Sequence, residues 1–533
     1  MLRELRGLSE ISKEKLHLLL ENYNPWWSNP KWYEKDSNIT EYRSGKYKLI
    51  SRLYHHISKK ITANGKYGII TIRGPRRSGK TTMIKLLIKN LMEDTDRGKP
   101  VSPKDIYYIS LDYNELKVHD LFKMLQAIAD QGEEEKYVFL DEASMYEDWA
   151  SILKNVYDAD IIVRGKLKIV ATGSHSMDLA EAAEKLRGRQ GELSSEFNLG
   201  GNLLFTPLRF VEVVEGLNEN LNSLLNTRKG RKVGVRFEIL KNLKEGTISD
   251  RIEKIYEEYS VTLNQLFENY LIHGGYPKAI KEFYENKQID RNFYYDIAEL
   301  LIKDSAKAKI KQTNTNLDPD VLKKILSVLV TPLRLGGALN ASDFTEIAKG
   351  IKEKDIREGY LQYLTSTWAI FLSYREKKNA SCDPNYNEQP KLYVLDPLIF
   401  HALYAYLNNI PDPYEYSMEL MKQPEMRGHF VESVIASHLI LSQQLFEHVP
   451  HVEYEKVLMH GIISDGVTHE VDFILCFNKK NEPHRFVLES KYRENITSLH
   501  VPEGTIVLTK DILEADKNKK IVYIPTSLFL MLF

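Results

Sequence analysis

The stretch "GPRRSGKT", residues 74–81, constrains the fold of this chain more than any other part of the sequence. It follows the apolar run "YGIITIR" and precedes "TMIKLLIKNL", so the sequence predicts a strand, a turn and then a helix. Gly74 and Gly79 let the backbone point its amides at a phosphate, and the helix adds the dipole of its amino end. Lys80 would reach the outer phosphates, and the Thr81 hydroxyl would bind Mg²⁺. A chance glycine-rich turn is the alternative.

A second apolar run ends in two adjacent acids. Residues 136–142, "KYVFLDE", predict a buried strand whose end carries Asp141 and Glu142. Beside a phosphate loop, Asp141 would accept the water shell of Mg²⁺, and Glu142 would orient or deprotonate the attacking water. A solvated strand end is the alternative. ATP and Mg²⁺ are therefore the predicted cofactors. The other predicted contacts of the loop with the nucleotide are Pro75, Arg76, Arg77, Ser78 and Thr82.

Further apolar runs predict the rest of a sheet. They are residues 105–112, 167–176 and 202–210, and they alternate with helical patterns, which predicts an α/β doubly wound parallel sheet. If the strand 167–176 is central, Thr172 or Ser174 would lie near the γ-phosphate.

Two arginines flank a glycine in the polar loop "EKLRGRQGE". Arg187 and Arg189 could stabilise charge on a transferring phosphoryl group, in cis or from a neighbouring subunit. The second case would require a homo-oligomer. A solvated pair of loop charges is the alternative.

Length and composition limit the other possibilities. A chain of 533 residues is too long for one hydrophobic core, so two to four domains are expected. A net charge of −1 neither supports nor excludes a nucleic-acid partner. The two cysteines, Cys382 and Cys476, are far apart and in unlike contexts, which argues against a disulfide scaffold or a cysteine zinc site and fits a reducing cytoplasm. No apolar run is long enough to cross a bilayer, so a membrane partner is not expected.

The stretch "HEVDFILCFNKKNEPHRFVLESKYR", residues 469–493, predicts two strands joined by a polar turn. Side chains alternate across a strand, so Glu470 shares a face with Asp472, and Glu489 shares a face with Lys491. A hairpin could bring both pairs around one cation, and carboxylate oxygens suit Mg²⁺. Lys491 could then orient a bound water for attack on a phosphodiester. A solvent-facing Glu–Lys ladder is the alternative.

Several motifs together resemble a known family. "GPRRSGKTT", "FLDE", "ATGS", "LRGR" and "TPLRFVE" follow the order seen in archaeal and bacterial AAA-type ATPases. "YLIHGGYPKAI" is similar to the helical lid of those proteins, and "NPWWSNPKW" is similar to the aromatic lead-in of archaeal members. The resemblance implies an additional-strand P-loop ATPase with a catalytic glutamate, followed by a winged helix and a nuclease-like C-terminal domain.

The end of the chain resembles the PD-(D/E)XK nuclease core. A helical pattern over residues 425–445 carries Glu432, and Asp472 and the "ESK" of the second strand follow. In that resemblance Glu432, Asp472 and Glu489 bind metal, and Lys491 positions the nucleophile. Val471 stands where the family usually has a proline.

The middle of the chain, residues 318–375, reads as three helices followed by a strand. Its short helix pair suits a winged helix-turn-helix, which can place a helix in a DNA groove. A purely structural winged helix that braces two larger domains is the alternative.

These patterns predict an α/β protein with a P-loop ATPase sheet, a helical lid, a winged helix and a mixed-sheet, restriction-endonuclease-like domain. The predicted domains are a lead-in (1–60), the ATPase core (61–215), a helical insertion and lid (216–315), the winged helix (316–385) and the nuclease-like domain (386–533). The predicted function is an ATP-hydrolysing protein that acts on DNA with a metal-dependent nuclease-like domain. The alternatives are an ATP-driven switch that only binds DNA or partners, and an ATPase whose last domain mediates assembly.

Overall fold

The chain falls into two compact units, Met1–Thr206 and Pro207–Phe533. The computed structural model describes residues 13–93, 100–113, 120–173, 185–197, 201–221, 233–310, 315–339, 352–378, 382–445, 452–454, 458–464, 468–479, 482–493 and 500–532. The two compact units are called unit 1 (Met1–Thr206) and unit 2 (Pro207–Phe533).

Unit 1 is built on a five-stranded parallel sheet of order β2-β3-β4-β1-β5. Its strands are β1 (Gly68–Arg73), β2 (Ile106–Ser110), β3 (Lys136–Asp141), β4 (Leu167–Gly173) and β5 (Asn202–Leu204). Its described helices are α1 (Lys13–Glu21), α2 (Ser37–Ser44), α3 (Arg52–Ile61), α4 (Lys80–Glu93), α5 (Leu121–Ala129), α6 (Trp149–Asp158) and α7 (Ile161–Arg164). The predicted α/β class and parallel sheet are confirmed.

Burial explains why these runs form strands and not surface segments. All residues of β2, β3 and β4 are buried, as expected where helices cover both faces of a parallel sheet. Leu125 of α5 and Leu153 of α6 pack in one core with Val138 and Ile169 of the sheet. The sheet order places β1 and β3 on either side of β4. Because the strands are parallel, the carboxyl ends of β1 and β3 lie at the same end of the sheet.

Unit 2 combines helices with a nine-stranded mixed sheet. Its described helices are α8 (Phe210–Leu217), α9 (Val233–Lys244), α10 (Asp250–His273), α11 (Pro277–Asn286), α12 (Arg291–Ser305), α13 (Pro319–Leu329), α14 (Glu353–Asp355, a π-helical turn Ile356–Leu361, and Gln362–Ser366), α15 (Pro397–Leu407), α16 (Pro413–Lys422), α17 (Pro424–Leu445) and α18 (Thr526–Leu532). Among these residues, no helix is both long enough and apolar enough to span a membrane.

The mixed sheet has the order β15-β16-β14-β13-β12-β11-β8-β9, and β10 pairs with β12 outside this path. Its strands are β8 (Ile370–Arg375), β9 (Lys391–Val394), β10 (Val452–Tyr454), β11 (Leu458–Ser464), β12 (Thr468–Lys479), β13 (Glu482–Lys491), β14 (Thr505–Thr509), β15 (Glu514–Asp516) and β16 (Ile521–Pro525); β6 (Lys309–Ile310) and β7 (Thr315–Asn316) form a separate small hairpin. The predicted hairpin is β12–β13, with antiparallel pairing from Phe473↔Leu488 to Lys479↔Glu482.

The middle of the chain contributes two strands to the mixed sheet. Strands β8 and β9 form an antiparallel hairpin that spans the predicted boundary between residues 385 and 386, and β8 also pairs with β11. Both strands therefore belong to the same sheet as β12 and β13. The first helix of the predicted winged-helix pair falls largely on residues 340–351, outside the described residues. The winged helix stays a prediction.

The pairing of the two cysteines was not predicted from the sequence. Cys382 and Cys476 form a disulfide, although 94 residues separate them in the sequence. The two residues are close in space because Cys382 follows β8 and Cys476 lies on β12, two strands away in the same sheet. Spacing in the sequence could not reveal this contact, since the order of the strands decides it.

Candidate nucleotide and metal sites

The phosphate loop runs from the end of β1 to the start of α4. Lys80 is buried, and its Nζ donates to the carbonyl oxygens of Gly74 and Pro75 at 2.9 Å each. Burial lowers the pKa of Lys80, and the negative charges of Glu142 and Asp141 oppose that shift. The ammonium group therefore lies inside the loop, bound to two of its carbonyl oxygens.

Two glycines fix the shape of this loop. A Cβ on Gly74 would come within 1.8 Å of the carbonyl oxygen of Phe205, so the backbone that directly follows β5 leaves no room for a side chain. Gly79 has φ = 103°, a conformation that other residues rarely adopt. Ser78 closes the loop by donating from Oγ to the carbonyl oxygen of Pro75 at 2.8 Å. The loop is thus shaped by backbone constraints before any ligand binds.

The carboxylate of Asp141, at the end of β3, accepts four hydrogen bonds from the described residues. Thr81 Oγ1 donates to its Oδ2 at 2.8 Å, and Tyr108 Oη donates to the same oxygen at 2.9 Å. Thr172 Oγ1 and the backbone N–H of Glu142 donate to Oδ1. A hydroxyl and a carboxylate in contact beside a buried lysine are a donor set that fits Mg²⁺ bound with a nucleotide. Tyr108 was not predicted from the sequence.

The other predicted residues of the nucleotide site are placed as follows. Arg76 lies near enough to Lys80 to lower the pKa of that lysine. Thr82 Oγ1 donates to Asn38 Oδ1 at 3.3 Å, so it contacts α2 in this structure. Arg77 has φ = 63° within the loop. Ser174 lies outside the described residues.

The two loop arginines contact solvent and a neighbouring helix. Arg187 is exposed. Arg189 Nε donates to Asp158 Oδ1, at the end of α6, at 2.9 Å, and both side chains are about half-exposed. A role for either arginine in phosphoryl transfer, in cis or across a subunit boundary, stays a prediction.

In unit 2 the hairpin β12–β13 brings two predicted metal ligands together. The backbone N–H of Asp472 donates to Glu489 Oε2 at 3.2 Å, and the backbone N–H of Ser490 donates to Asp472 Oδ2 at 2.9 Å. Each carboxylate thus binds the backbone of the opposite strand. Lys491 Nζ donates to Glu489 Oε1 at 2.5 Å. Asp472, Glu489 and Lys491 therefore lie at one place on the sheet.

Glu432 reaches the same place from helix α17. Its Oε1 accepts a hydrogen bond from Tyr393 Oη at 2.8 Å. A Cβ on Gly336 would lie 2.7 Å from that oxygen, so this glycine makes room for the carboxylate. Burial raises the pKa of Glu432 to about 8, and the charge of Asp472 adds to the shift. Burial and Asp472 also raise the pKa of Glu489. Crowded carboxylates of this kind are stabilised by a bound cation.

Lys391 is a further member of this cluster that the sequence did not reveal. Its Nζ lies 3.4 Å from Glu470 Oε1 and 3.7 Å from Asp472 Oδ1. Its pKa is raised: burial alone would lower it, but the charges of Glu432, Asp472 and Glu470 outweigh that effect. Lys391 begins β9, which is separated from β12 by two strands, so no local pattern connects it with the acids.

The three predicted metal ligands of unit 2 are not all within 4.8 Å of one another. Among the described residues, the one group of three potential ligands whose atoms all lie within 4.8 Å of one another is Glu376, Cys382 and Cys476. Its two sulfurs are bonded to each other, so that group does not offer thiolate ligands. Glu432, Asp472 and Glu489 are spaced more widely. Their oxygen atoms are of the kind that binds Mg²⁺, which keeps several waters when it is held by protein carboxylates.

The sheet order, the phosphate loop and the adjacent acids define unit 1 as a P-loop ATPase domain. Residues 66–214 match the family described as an AAA domain, and this part of the chain is an AAA-type ATPase domain. Residues 264–411 match a domain of unknown function. The uncharacterized protein MJ1637 of Methanocaldococcus jannaschii is 25% identical over 487 residues, which cover 89% of this chain and 86% of that protein.

Two solved structures are similar in part. The Walker-type ATPase PABY2304 of Pyrococcus abyssi has a TM-score of 0.36 and 14% identity, over 66% of this chain and 94% of that chain. The ORC1 protein of Aeropyrum pernix, solved in complex with DNA, has a TM-score of 0.29 and 14% identity, over 73% of this chain and 97% of that chain.

Proposed function

We propose that this protein hydrolyses ATP in unit 1 and cleaves phosphodiester bonds of DNA at the acidic cluster of unit 2. The observation that carries the second part is the pair of hydrogen bonds that joins Asp472 and Glu489 across β12 and β13. Solvent-facing strand charges would point into water. These two carboxylates instead hold the backbone of each other's strand, and Glu432 approaches them from a helix.

In the proposed ATPase reaction, Lys80 would leave the loop carbonyls and bind the outer phosphates of ATP. The Thr81 hydroxyl and Asp141 would hold Mg²⁺, which neutralises charge that develops on the transferred phosphoryl group. Glu142 would orient and deprotonate the attacking water, since it follows Asp141 at the end of β3. Tyr108 and Thr172 would keep the carboxylate of Asp141 in place.

In the proposed cleavage reaction, Asp472 and Glu489 would bind a Mg²⁺ ion, with Glu432 beside them. The ion would polarise the scissile phosphate and lower the pKa of a bound water. Lys491, whose ammonium group contacts Glu489, would orient that water toward the phosphorus atom. Lys391 would add positive charge beside the cluster, where a phosphate backbone carries negative charge.

The second candidate function is an ATP-driven switch whose unit 2 binds DNA or a partner without cleaving it. The contacts of Lys391 favour this candidate, because its ammonium group already offsets part of the acidic charge that a metal would neutralise.

Cleavage of DNA in the presence and absence of Mg²⁺ distinguishes the two candidates. Purified protein is incubated with duplex, single-stranded and branched DNA, and ATP hydrolysis is measured on the same samples. Asp472→Asn and Glu489→Gln each remove a charged oxygen ligand, so cleavage should fall by about a hundredfold. Hydrolysis of ATP should be unchanged, because the altered residues lie in unit 2.

Glu514→Gln is the matched control, since Glu514 is an exposed acid of the same sheet on β15. It should cleave DNA as the unaltered protein does. If the unaltered protein hydrolyses ATP but cleaves none of the three substrates with Mg²⁺, the nuclease proposal is wrong and the switch remains.

A further inference from the structure

The aromatic lead-in covers the free edge of the ATPase sheet. Strand β2 is an edge strand, and its outer backbone groups would otherwise be unpaired. The side chain of Asn24 pairs with Tyr108 as a neighbouring strand would: Nδ2 donates to the carbonyl oxygen at 3.0 Å, and Oδ1 accepts from the N–H at 2.6 Å. The indole of Trp26 donates to the carbonyl oxygen of Ile106 at 3.0 Å. The lead-in thus fixes the backbone of Tyr108 at both polar atoms.

The side chain of Tyr108 points from this edge into the nucleotide site. Its hydroxyl donates to Asp141 Oδ2, the oxygen that also accepts from Thr81. In the proposed reaction the Thr81 hydroxyl would turn to Mg²⁺ and leave that oxygen. Tyr108 would then be the side chain that still holds Oδ2, while Thr172 holds Oδ1.

Lys85, on helix α4, contacts aromatic rings of the lead-in and the ring of Tyr108. Its Nζ lies 4.0 Å from the ring centroid of Tyr108, and 5.4 Å and 5.6 Å from the rings of Trp26 and Trp32. Asp36 Oδ2 lies 3.8 Å away and balances the charge. A cation over aromatic faces is attracted by their negative potential, and the attraction is greater where water is excluded. The side chain of Lys85 is only 10% exposed.

We infer that Tyr108 is a positioning residue for the Mg²⁺–nucleotide complex, and that the lead-in through Asn24, Trp26 and Trp32 is part of the ATPase site because it holds Tyr108. The inference rests on the ATPase part of the proposed function and is independent of the acidic cluster in unit 2. Outer contacts of this kind orient a ligand of the metal, and their loss commonly weakens metal binding by about 10- to 100-fold.

Tyr108→Phe tests the inference, with Tyr107→Phe as its matched control. Tyr107 precedes Tyr108 on β2, and its hydroxyl donates to Gln131 Oε1, away from Asp141. Binding of a fluorescent ATP analogue to the full chain is measured in EDTA and over a Mg²⁺ titration. Tyr108→Phe should bind the analogue normally in EDTA, but should need about tenfold more Mg²⁺ for the half-maximal effect. Tyr107→Phe should match the unaltered protein in both conditions.

Asn24→Ala extends the test to the lead-in. It removes both contacts with the backbone of Tyr108 and should shift the Mg²⁺ titration in the same direction as Tyr108→Phe. A Mg²⁺ titration of Tyr108→Phe that matches the unaltered protein would overturn the inference. Equal weakening in EDTA and in Mg²⁺ would overturn it as well, because that result indicates a general loss of structure. An unaltered protein that binds no nucleotide in either condition would instead contradict the proposed ATPase reaction itself.

Discussion

Glu142 has an unusual backbone at the position where the proposed reaction needs a base. Its φ is 50°, in the left-handed region, which residues with a side chain adopt rarely. It follows the last residue of β3 and precedes a short turn. Conformations of this kind persist where the surrounding structure enforces them, and they cluster at functional sites. Here the N–H of Glu142 donates to Asp141, so the two acids are fixed relative to each other.

Glu142→Gln should separate nucleotide binding from hydrolysis. The glutamine keeps the size of the side chain but cannot accept a proton, so hydrolysis should fall by about 10²- to 10⁴-fold while binding persists. Lys80→Ala is the contrasting variant, and it should lose nucleotide binding because the phosphates lose their cation. Both are measured by ATP turnover and by binding of a fluorescent analogue. ATP turnover of Glu142→Gln near that of the unaltered protein would contradict the assignment of Glu142 as the catalytic base.

The residues of the two candidate sites differ in how well their positions could be predicted from the sequence. Gly74, Gly79 and Lys80 were predictable because each needs a fixed spacing in one continuous loop. Tyr108 and Lys391 were not, because their contacts with the acids depend on the order of strands in a sheet. Tyr108 reaches Asp141 from the neighbouring strand, and Lys391 lies three strands away from Asp472 along the sheet path.

Helix starts are the elements that local sequence determines most directly. Three helices of unit 2 begin with the pair Asp-Pro, at Asp318, Asp396 and Asp412. In each pair the aspartate accepts a backbone N–H from the first turn, and the proline occupies a position that lacks a hydrogen-bonded N–H in any helix. The strand β12 could likewise be predicted from its alternating pattern. The disulfide that joins its Cys476 to Cys382 could not be predicted from the sequence.

The start of helix α8 depends on a residue far along the chain. The N–H of Phe210 donates to His438 Nε2, on α17, at 2.8 Å, and His438 Nδ1 in turn contacts the carbonyl oxygen of Val434 at 2.7 Å. His438 is therefore neutral, with its proton on Nδ1. Burial lowers its pKa to about 3, and the positive charge of Arg209 adds to the shift. Protonation of Nε2 would place an N–H against the N–H of Phe210.

His438 should make unit 2 less stable in mild acid. The unfolded chain takes up a proton on this histidine below its ordinary pKa of about 6.5, whereas the folded chain does so only near 3. Stability is thus fully present above pH 6.5 and decreases as the pH falls, by up to about 1.4 kcal/mol per pH unit for one proton. His438→Gln keeps a polar side chain that does not titrate, so its stability should decrease less between pH 6.5 and pH 4.

Urea unfolding at several pH values measures this difference, and His500→Gln is the control because His500 is exposed. Some pH dependence should remain in His438→Gln, since burial also lowers the pKa values of His273 and His401 to about 4. Asp396, whose pKa burial raises to about 7, contributes with the opposite sign and cancels when variants are compared. A slope in His438→Gln equal to that of the unaltered protein would contradict the assignment.

The chain carries a candidate metal site in each of its two compact units. Asp141 and Thr81 lie in unit 1, and Asp472 and Glu489 lie in unit 2. The first site belongs to an AAA-type ATPase domain. The second was predictable as a hairpin with shared faces, because side chains alternate along a strand, whereas the surrounding Tyr393, Lys391 and Gly336 come from other parts of the chain.

Both sites are proposed to bind a divalent cation, and anomalous X-ray scattering from Mn²⁺ would locate that cation. Crystals of the full chain are grown with Mn²⁺ and a non-hydrolysable ATP analogue, so that the ATPase site serves as an internal control. We expect one anomalous peak beside Thr81 and Asp141 and a second between the carboxylates of Asp472 and Glu489. A peak in unit 1 without a peak at Asp472 and Glu489 would contradict a metal site in unit 2.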